Sequence, residues 1–336
     1  MESLVESALG GGRVQSQELS PKIVVAGVGG AGCNTVNRLA RAGIRGAELL
    51  AINTDSKHLT MMHEKCKRVL IGASVTKGLG AGGYPDIARK AAEASRPELE
   101  SVLRDTDLLF IAAGMGGGTG TGSAPVIAEI AKKQGAIVVA IVTYPFVLER
   151  ARLQKAADGI EALRQSADTI VVIDNNRLLD FVPNLPIDQA FNIADEVTSR
   201  AVRGISETIS TPSLINLDFA DVRAVMQGGG VSMIAVGEAK GPNRASEVVA
   251  NTMHHRLLEV DYSGASGVLL HLTGGPDLTL GEANQIGEAL TEQVDPNANV
   301  IWGARLDPEF EQKVEAIAIF TGIHSPYIVG RKPGAV

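Results

Sequence analysis

Gly-Met-Gly-Gly-Gly-Thr-Gly-Thr-Gly-Ser, residues Gly114–Ser123, follows the apolar run Asp107-Leu-Leu-Phe-Ile-Ala-Ala113 and precedes Ser123-Ala-Pro125. The apolar run reads as a buried strand. Ser is a good N-cap and Pro is tolerated in a first turn, so a helix is expected to start at Ser123. The unit is strand, glycine turn, helix. Gly114, Gly116, Gly117, Gly118, Gly120 and Gly122 carry no Cβ, so this backbone can approach a ligand closely. Its N–H groups and the helix N-terminus both favour an anion. Thr119 and Thr121 add hydroxyl donors, and a phosphate chain is the natural occupant.

Upstream and downstream of that loop, apolar strands alternate with helical stretches. Candidate strands are Ile23–Ala26, Leu49–Asn53, Arg68–Ile71, Leu108–Ala112, Ile137–Thr143 and Ile170–Ile173, with helical patterns such as Pro85–Leu103 and Arg150–Ser166 between them. Such alternation predicts an α/β fold with a doubly wound, mostly parallel sheet, whose ligands sit beyond the carboxyl ends of the strands. A long helix is expected from Asp188 to Ile209, with Ile193, Ala194, Val197, Ala201, Ile205 and Ile209 at helical period and Thr211-Pro212 as its stop. Beyond it, strands Val231–Val236, Val268–Leu272, Val300–Leu306 and Val314–Phe320 and helices Ala245–Leu258 and Leu280–Val294 predict a second, smaller α/β domain with a four-stranded mixed sheet. The expected organisation is a flexible extension (1–20), a nucleotide-binding domain (21–187), a central helix (188–210), a C-terminal domain (211–323) and a mobile tail (324–336).

Bulk composition narrows the function. The 336 residues are 45% hydrophobic but only 4% aromatic, so aliphatic side chains must fill the core, and the net charge of −7 argues against general nucleic-acid binding. Cys33 and Cys66 give neither metal spacing nor a disulfide framework, which fits a reducing cytoplasm. The first 20 residues lack an apolar leader core, and Ala136–Val142 falls far short of the ~20 residues of a spanning helix, so no direct membrane insertion is expected. The six histidines form no i, i+4 metal pair.

Two further glycine turns follow strands: Gly27-Val-Gly-Gly-Ala-Gly32, leading into Cys33-Asn34, and Gly78-Leu-Gly-Ala-Gly-Gly83. The first has the G-x-G-x-x-G pattern between strand and helix, and Asn53-Thr54-Asp55 stands where a dinucleotide oxidoreductase keeps its ribose-binding acid. Three glycine loops around one site exceed what a single pyrophosphate needs, however, and favour a triphosphate. No G-x-x-x-x-G-K-[ST] occurs, so charge must be balanced by backbone dipoles and a metal, for which Mg²⁺ carried on phosphate oxygens is suited.

Gly116–Ser123 resembles the signature of the tubulin/FtsZ family of polymerising GTPases. Gly29-Gly30-Ala31-Gly32, with Asn34, Asn53-Thr54-Asp55 and Gly80-Ala81-Gly82-Gly83 are similar to that family's other phosphate-side loops, and Asn216-Leu-Asp-Phe-Ala-Asp-Val-Arg223 resembles the synergy loop of its FtsZ branch. The similarity runs from about Ile23 to Gly322; Tyr144–Arg150 resembles archaeal members. The resemblance implies GTP/GDP as nucleotide with Mg²⁺, Glu149 and Arg152 near ribose and phosphates (Arg150 is the alternative to Arg152), and Asn175 against the guanine edge. It further implies Phe191 stacked on the base and Asp195 accepting from guanine N1–H and the 2-amino group. On spacing alone, the plainer readings prevail: Phe191 as core and Asp195 as a solvated helix position.

Asp218 and Asp221 follow the long helix, about 22 Å or more from its base-binding start by helical rise. They cannot reach their own subunit's phosphates. The resemblance resolves the conflict: Asn216, Asp218 and Asp221 would be catalytic on a neighbour's γ-phosphate in a head-to-tail filament of this same chain. The plainer alternative is an N-cap at Asp218 and a solvated Asp221. By resemblance the role is a division ring at midcell in the cytoplasm, with division-ring and membrane-tethering proteins as further partners. A GTP-binding paralogue that does not divide cells and a nicotinamide-dependent oxidoreductase are the alternatives.

Overall fold

The computed structural model describes residues 21–210, 215, 218–227, 229–253, 262 and 264–323. The extension 1–20, the tail 324–336, Thr211-Pro212 and Asn216 lie outside the described residues. Ten strands form one sheet: β1 Ile23–Val28, β2 Ala47–Asn53, β3 Cys66–Leu70, β4 Leu108–Gly114, β5 Ile137–Tyr144, β6 Thr169–Asp174, β7 Gly230–Lys240, β8 Gly267–Gly274, β9 Asn299–Leu306 and β10 Lys313–Thr321. The longer helices are α1 Gly29–Ala42, α2 Pro85–Ala94, α3 Arg96–Val102, α4 Thr119–Lys133, α5 Ala151–Ser166, α6 Ile187–Ser210, α7 Phe219–Met226, α8 Arg244–Met253 and α9 Leu280–Thr291.

Strand order across the sheet is β3-β2-β1-β4-β5-β6-β7-β10-β8-β9. Every pair from β3 to β7 is parallel, β10 is antiparallel to both β7 and β8, and β8 and β9 are parallel. The chain reverses its direction of winding between β1 and β4, which opens a crevice at their carboxyl ends, the usual ligand position of such sheets. The second segment does form a four-stranded mixed array, but it extends the first sheet: β6 and β7 pair through Thr169↔Gly230, Ile170↔Val231 and Val171↔Ser232.

Strand alternation splits the core between the two faces of the sheet. Val25, Phe110 and Val139 join Cys33, Val36 and Leu39 of α1 on one face, while Val24, Leu109 and Val138 join Ile127 and Ile130 of α4 and Ile160 of α5 on the other. Burial of each such aliphatic side chain is worth roughly 1.5–3 kcal/mol. Phe110 and Phe320 are the aromatic residues among the largest fully buried side chains, so the core is aliphatic as composition required.

Two helix boundaries differ from the sequence reading. Pro85–Leu103 is two helices, α2 and α3, broken at Ser95. Pro97 lacks an N–H and would clash inside a continuous helix, so the chain restarts with Pro97 in the first turn of α3. The helix after the glycine loop starts at Thr119 rather than Ser123, which leaves Pro125 inside α4. Glycine makes the early start possible: a Cβ on Gly120 would lie 2.5 Å from Gly114 O, and one on Gly122 would lie 2.0 Å from Pro85 O. Ser123 is then no cap, and its hydroxyl donates to Ala88 O at 3.0 Å.

Candidate nucleotide-binding site

A cavity of about 380 Å³ lies at the carboxyl ends of β1 and β4. Helices α1 and α4 both begin at its wall, so two sets of first-turn N–H groups and two positive dipole ends converge there. Gly30, Ala31, Gly32, Asn34, Gly114, Gly117, Gly118, Thr119, Gly120, Glu149, Arg152, Asn175, Phe191 and Asp195, all singled out from sequence, line it. Arg152 is the cationic side chain among the described lining residues; it is more than half exposed and donates to Glu149 Oε2 at 2.6 Å. Charge balance for a bound polyphosphate therefore falls mainly to backbone dipoles.

The remaining candidates stand behind the wall and shape it. Gly116 holds φ +89°, a left-handed conformation, and its N–H donates to the Thr121 hydroxyl at 2.9 Å, which closes the glycine loop on itself. Gly122 packs against the start of α2. Gly29 is buried with φ +74°, its missing Cβ leaving room for Gly120 N at 2.8 Å. Asn53 caps its own turn by accepting from Thr54 N at 2.8 Å, and Asp55 accepts from Lys57 N and His58 N to start a short helix. Thr54 Oγ1 lies 2.7 Å from Thr119 Oγ1, and Gly80 N donates to Thr54 O at 3.0 Å. The Gly80-Ala81-Gly82-Gly83 turn in turn stacks on the main loop: a Cβ on Gly118 would meet Ala81 Cβ at 2.9 Å and Gly83 N at 3.2 Å. Lys155 of α5 donates to Gly83 O at 2.8 Å and so anchors that turn.

At the far end of the cavity the side chains change character. Phe191 is 40% exposed and meets Phe146 edge to face at 5.8 Å, so it is not core; a flat ring is left open to the cavity. Asn175 is buried, and its Oδ1 has no hydrogen-bond partner. An orphaned acceptor beside an exposed aromatic face is what a heterocyclic base with ring donors would complete. Asp195 accepts from the Thr35 hydroxyl at 2.8 Å and pairs with Arg38 at 3.1 Å. Burial pushes its carboxyl above the ordinary carboxylate value, with the Thr35 bond and the Arg38 charge opposing the rise. Thr35, Thr143, Pro145 and Thr198 also line the cavity. The sequence reading missed them; for Thr35 and Arg38 the spacing i, i+3 on α1 was the available signal.

Asp218 and Asp221 are elsewhere. They form a capping box at the start of α7, with Asp218 Oδ1 accepting from Asp221 N at 2.7 Å and Asp221 Oδ2 accepting from Asp218 N at 3.4 Å. The N-cap alternative thus holds for Asp218, but Asp218 is exposed and Asp221 is half-buried. The other end of α7 is fixed by Thr169, whose hydroxyl donates to Met226 O at 2.9 Å. Thr169 is the first residue of β6, so α7 packs at the amino end of the strands and the cavity at their carboxyl end.

Among the described residues no group of three His, Cys, Asp or Glu side chains is placed to hold a metal ion. Cys33 is packed and inert, its thiol pushed up to about 12 by burial. No described helix is long and apolar enough to cross a membrane.

Comparison with known proteins agrees with this geometry. The model of the Tubulin/FtsZ family GTPase domain matches residues 22–183, and that of the FtsZ family C-terminal domain matches residues 230–324. Cell division protein FtsZ 2 of Methanocaldococcus jannaschii is 60% identical over 313 residues, covering 92% of this chain and 82% of that one. Cell division protein FtsZ 2 of Halobacterium salinarum is 52% identical over 340 residues, covering 98% and 86%. Among solved structures, an empty FtsZ dimer of M. jannaschii superposes with a TM-score of 0.86 at 46% identity, covering 96% of this chain and 91% of that one.

Proposed function

The chain belongs to the tubulin/FtsZ family of GTPases, and from that membership we infer a GTP-hydrolysing protein that assembles head to tail and serves in cell division. GTP would lie in the cavity with its phosphates at the first turns of α1 and α4 and its base between Phe191, Asn175 and Asp195. Residues 21–187 then act as the GTP-binding domain, 188–210 as the connecting helix and 211–323 as the activating domain. The first turns of α1 and α4 offer N–H and hydroxyl donors, and the nearby Glu149 carboxylate is already paired with Arg152, a lining that would fit a Mg²⁺ brought in with the phosphates rather than held by protein carboxylates. When bound, Mg²⁺ neutralises charge on the terminal phosphates.

One observation carries the mechanism: the acids and the cavity stand at opposite ends of the strands. Stacking one subunit on the next brings Asp218 and Asp221 over the neighbour's γ-phosphate. Their carboxylates orient and polarise a water whose oxygen bonds to the γ-phosphorus as the bond to the β–γ bridging oxygen breaks, giving GDP and phosphate. Asn216 would join them. A heterologous contact of this kind propagates as a filament. A midcell ring, with division-ring and membrane-tethering proteins as partners, is the cellular setting this reading implies.

The test is turnover per molecule against protein concentration, paired with sedimentation in GTP, GDP or NADH. Turnover should rise above a threshold concentration, and pelleting should require GTP. Asp221→Ala should still bind GTP and pellet, yet hydrolyse at least about 100-fold more slowly. Flat turnover over a wide concentration range, without pelleting, would sink the shared site; NADH binding without GTP binding would restore the oxidoreductase alternative.

A further inference from the structure

Asp195 reaches the cavity with both carboxylate oxygens already engaged. Thr35 Oγ1 donates to Oδ1 at 2.8 Å, and Arg38 Nη2 lies 3.1 Å from Oδ2. Both partners come from one face of α1, the helix whose first turn lines the phosphate end. Arg38 also grips α6 itself: Nη1 donates to Asn192 O at 2.8 Å and Nη2 to Asn192 Oδ1 at 2.6 Å. One guanidinium therefore fixes both the acid and the turn of helix that carries it.

We propose that Thr35 and Arg38 are positioning residues for base selection, holding Asp195 ionised and turned so that one free lone pair on each oxygen faces the N1–H and 2-amino group of a guanine. The inference rests on the assignment of Asp195 to the base. A carboxylate offers about four acceptor positions. Thr35 and Arg38 each engage one oxygen, which leaves acceptor capacity on both oxygens for two donors of a base. Only the ionised acid accepts from both. A proton on either oxygen would turn an acceptor into a donor aimed at another donor.

Burial works against ionisation at this position, and Arg38 and Thr35 are the groups that oppose it. Outside the cavity, a groove between α1 and α6 behind Asp195 carries the other charged side chains: Arg41 from α1 and Glu196 and Arg200 from α6, with Glu238 of β7 and Glu315 of β10 facing Arg200. Arg200 is taken up by Glu196 at 2.9 Å and Glu238 at 3.1 Å. On the cavity side Glu149 and Arg152 pair with each other. Among the described residues, Arg38 is thus the cation in contact with Asp195.

The experiment is calorimetric titration of nucleotide-free protein with GTP, inosine triphosphate, which lacks the 2-amino group, and xanthosine triphosphate, which carries an oxygen there. Asp195→Asn tests the underlying assignment: preference should turn from GTP to xanthosine triphosphate, and an unchanged preference means that Asp195 does not read the base. Arg38→Met tests the inference. Its preference for GTP over inosine triphosphate should fall about tenfold, and the loss should be larger at the acid end of a pH series than at the alkaline end, because removing the cation raises the pH at which Asp195 ionises. Arg38→Lys should restore most of the preference across the series. Thr35→Val should lose about threefold. Equal weakening of both nucleotides by Arg38→Met at every pH, or no change at all, overturns the proposal even if Asp195→Asn behaves as expected.

Discussion

Gly30→Ala separates the needs of the fold from the needs of the ligand. Gly30 lies in the first turn of α1, is exposed, and lines the cavity. A Cβ built there meets nothing within 4 Å. Its φ is not positive, so alanine takes the same backbone without strain. In a helix that exchange stabilises by up to about 1 kcal/mol, less at a first turn. The nucleotide-free protein should therefore melt no lower than the parent and up to about 2 °C higher. The new methyl group occupies the space where a phosphate oxygen would approach the α1 N-terminus. Loss of one hydrogen bond to a charged group is worth about 1.5–3 kcal/mol, or roughly 10- to 100-fold in affinity. Gly32→Ala is the contrasting control: its Cβ would lie 2.0 Å from Ala112 O, a backbone atom, so α1 must part from β4 and the melting temperature must drop. Thermal unfolding without nucleotide and titration with GTP read the two effects apart. A Gly30→Ala protein that melts like the parent and binds GTP just as tightly would show that no phosphate sits at this helix end.

Two further predictions concern pH and the second half of the sheet. His271 is buried with its value pushed down to about 3 by burial and by the nearby Arg305 charge, so the unfolded chain takes up a proton that the folded chain refuses between about pH 6.5 and 3. Stability is therefore lost as pH falls through that window, and His271→Gln should lose about 2 kcal/mol less than the parent between pH 7 and pH 5 in urea unfolding. Arg244 is buried between α8 and α9, bonded to Asp277 at 2.6 Å and Glu282 at 2.8 Å. Its hydrogen bonds, with those of Thr279 and its charge, hold the Glu282 carboxyl down to about 2, so this contribution is present above about pH 4.5 and fades as pH falls toward 2. Arg244→Met should cost about 2 kcal/mol at neutral pH and flatten that acid limb; an unaltered limb would assign it to other carboxylates.

The parallel half of the sheet was legible because β1, β2, β4 and β6 are apolar runs closed by glycine or asparagine, and a pattern of that kind has few competing readings. The join between β6 and β7 was not: the residues between α6 and β7 carry no periodicity that says whether the second array stands apart or pairs on. Ser123 misled because Ser-x-Pro is a cap signature wherever it occurs; only the contact of Gly122 with Pro85 O shows that α4 has already begun. At the site, glycines announced themselves by number. Thr35 and Arg38 did not, because a Thr and an Arg on an amphipathic helix are ordinary surface residues until α6 is laid across them. The glycine turn at Gly80–Gly83 and the Asn53–Asp55 turn were legible as loops but not in their relation, which is that one is bonded to the other behind the cavity wall.

For the proposed shared site, the separation of acids from cavity has an electrostatic rationale independent of any relative. A polyphosphate in a site balanced by dipoles and one exposed arginine has little charge to spare for a neighbouring carboxylate. Glu149 and Asp195 of the wall are each paired with an arginine; two further, unpaired acids facing the γ-phosphate would repel the nucleotide in its ground state and weaken binding before any water was activated. In the proposed shared site, Asp218 and Asp221 stand at the far end of the strands and so would leave GTP binding undisturbed in the free subunit. Their repulsion is met only when subunits stack, where the energy of the whole interface is available to offset it. In the proposed filament, hydrolysis removes the γ-phosphate that those acids would face and so alters the same interface. Binding, assembly and turnover then follow in that order from the placement of two carboxylates. Neutralising them should strengthen assembly while slowing hydrolysis: Asp218→Asn with Asp221→Asn should pellet at lower protein concentration than the parent in GTP. A higher threshold for the double variant would mean that the acids hold the interface together instead of straining it.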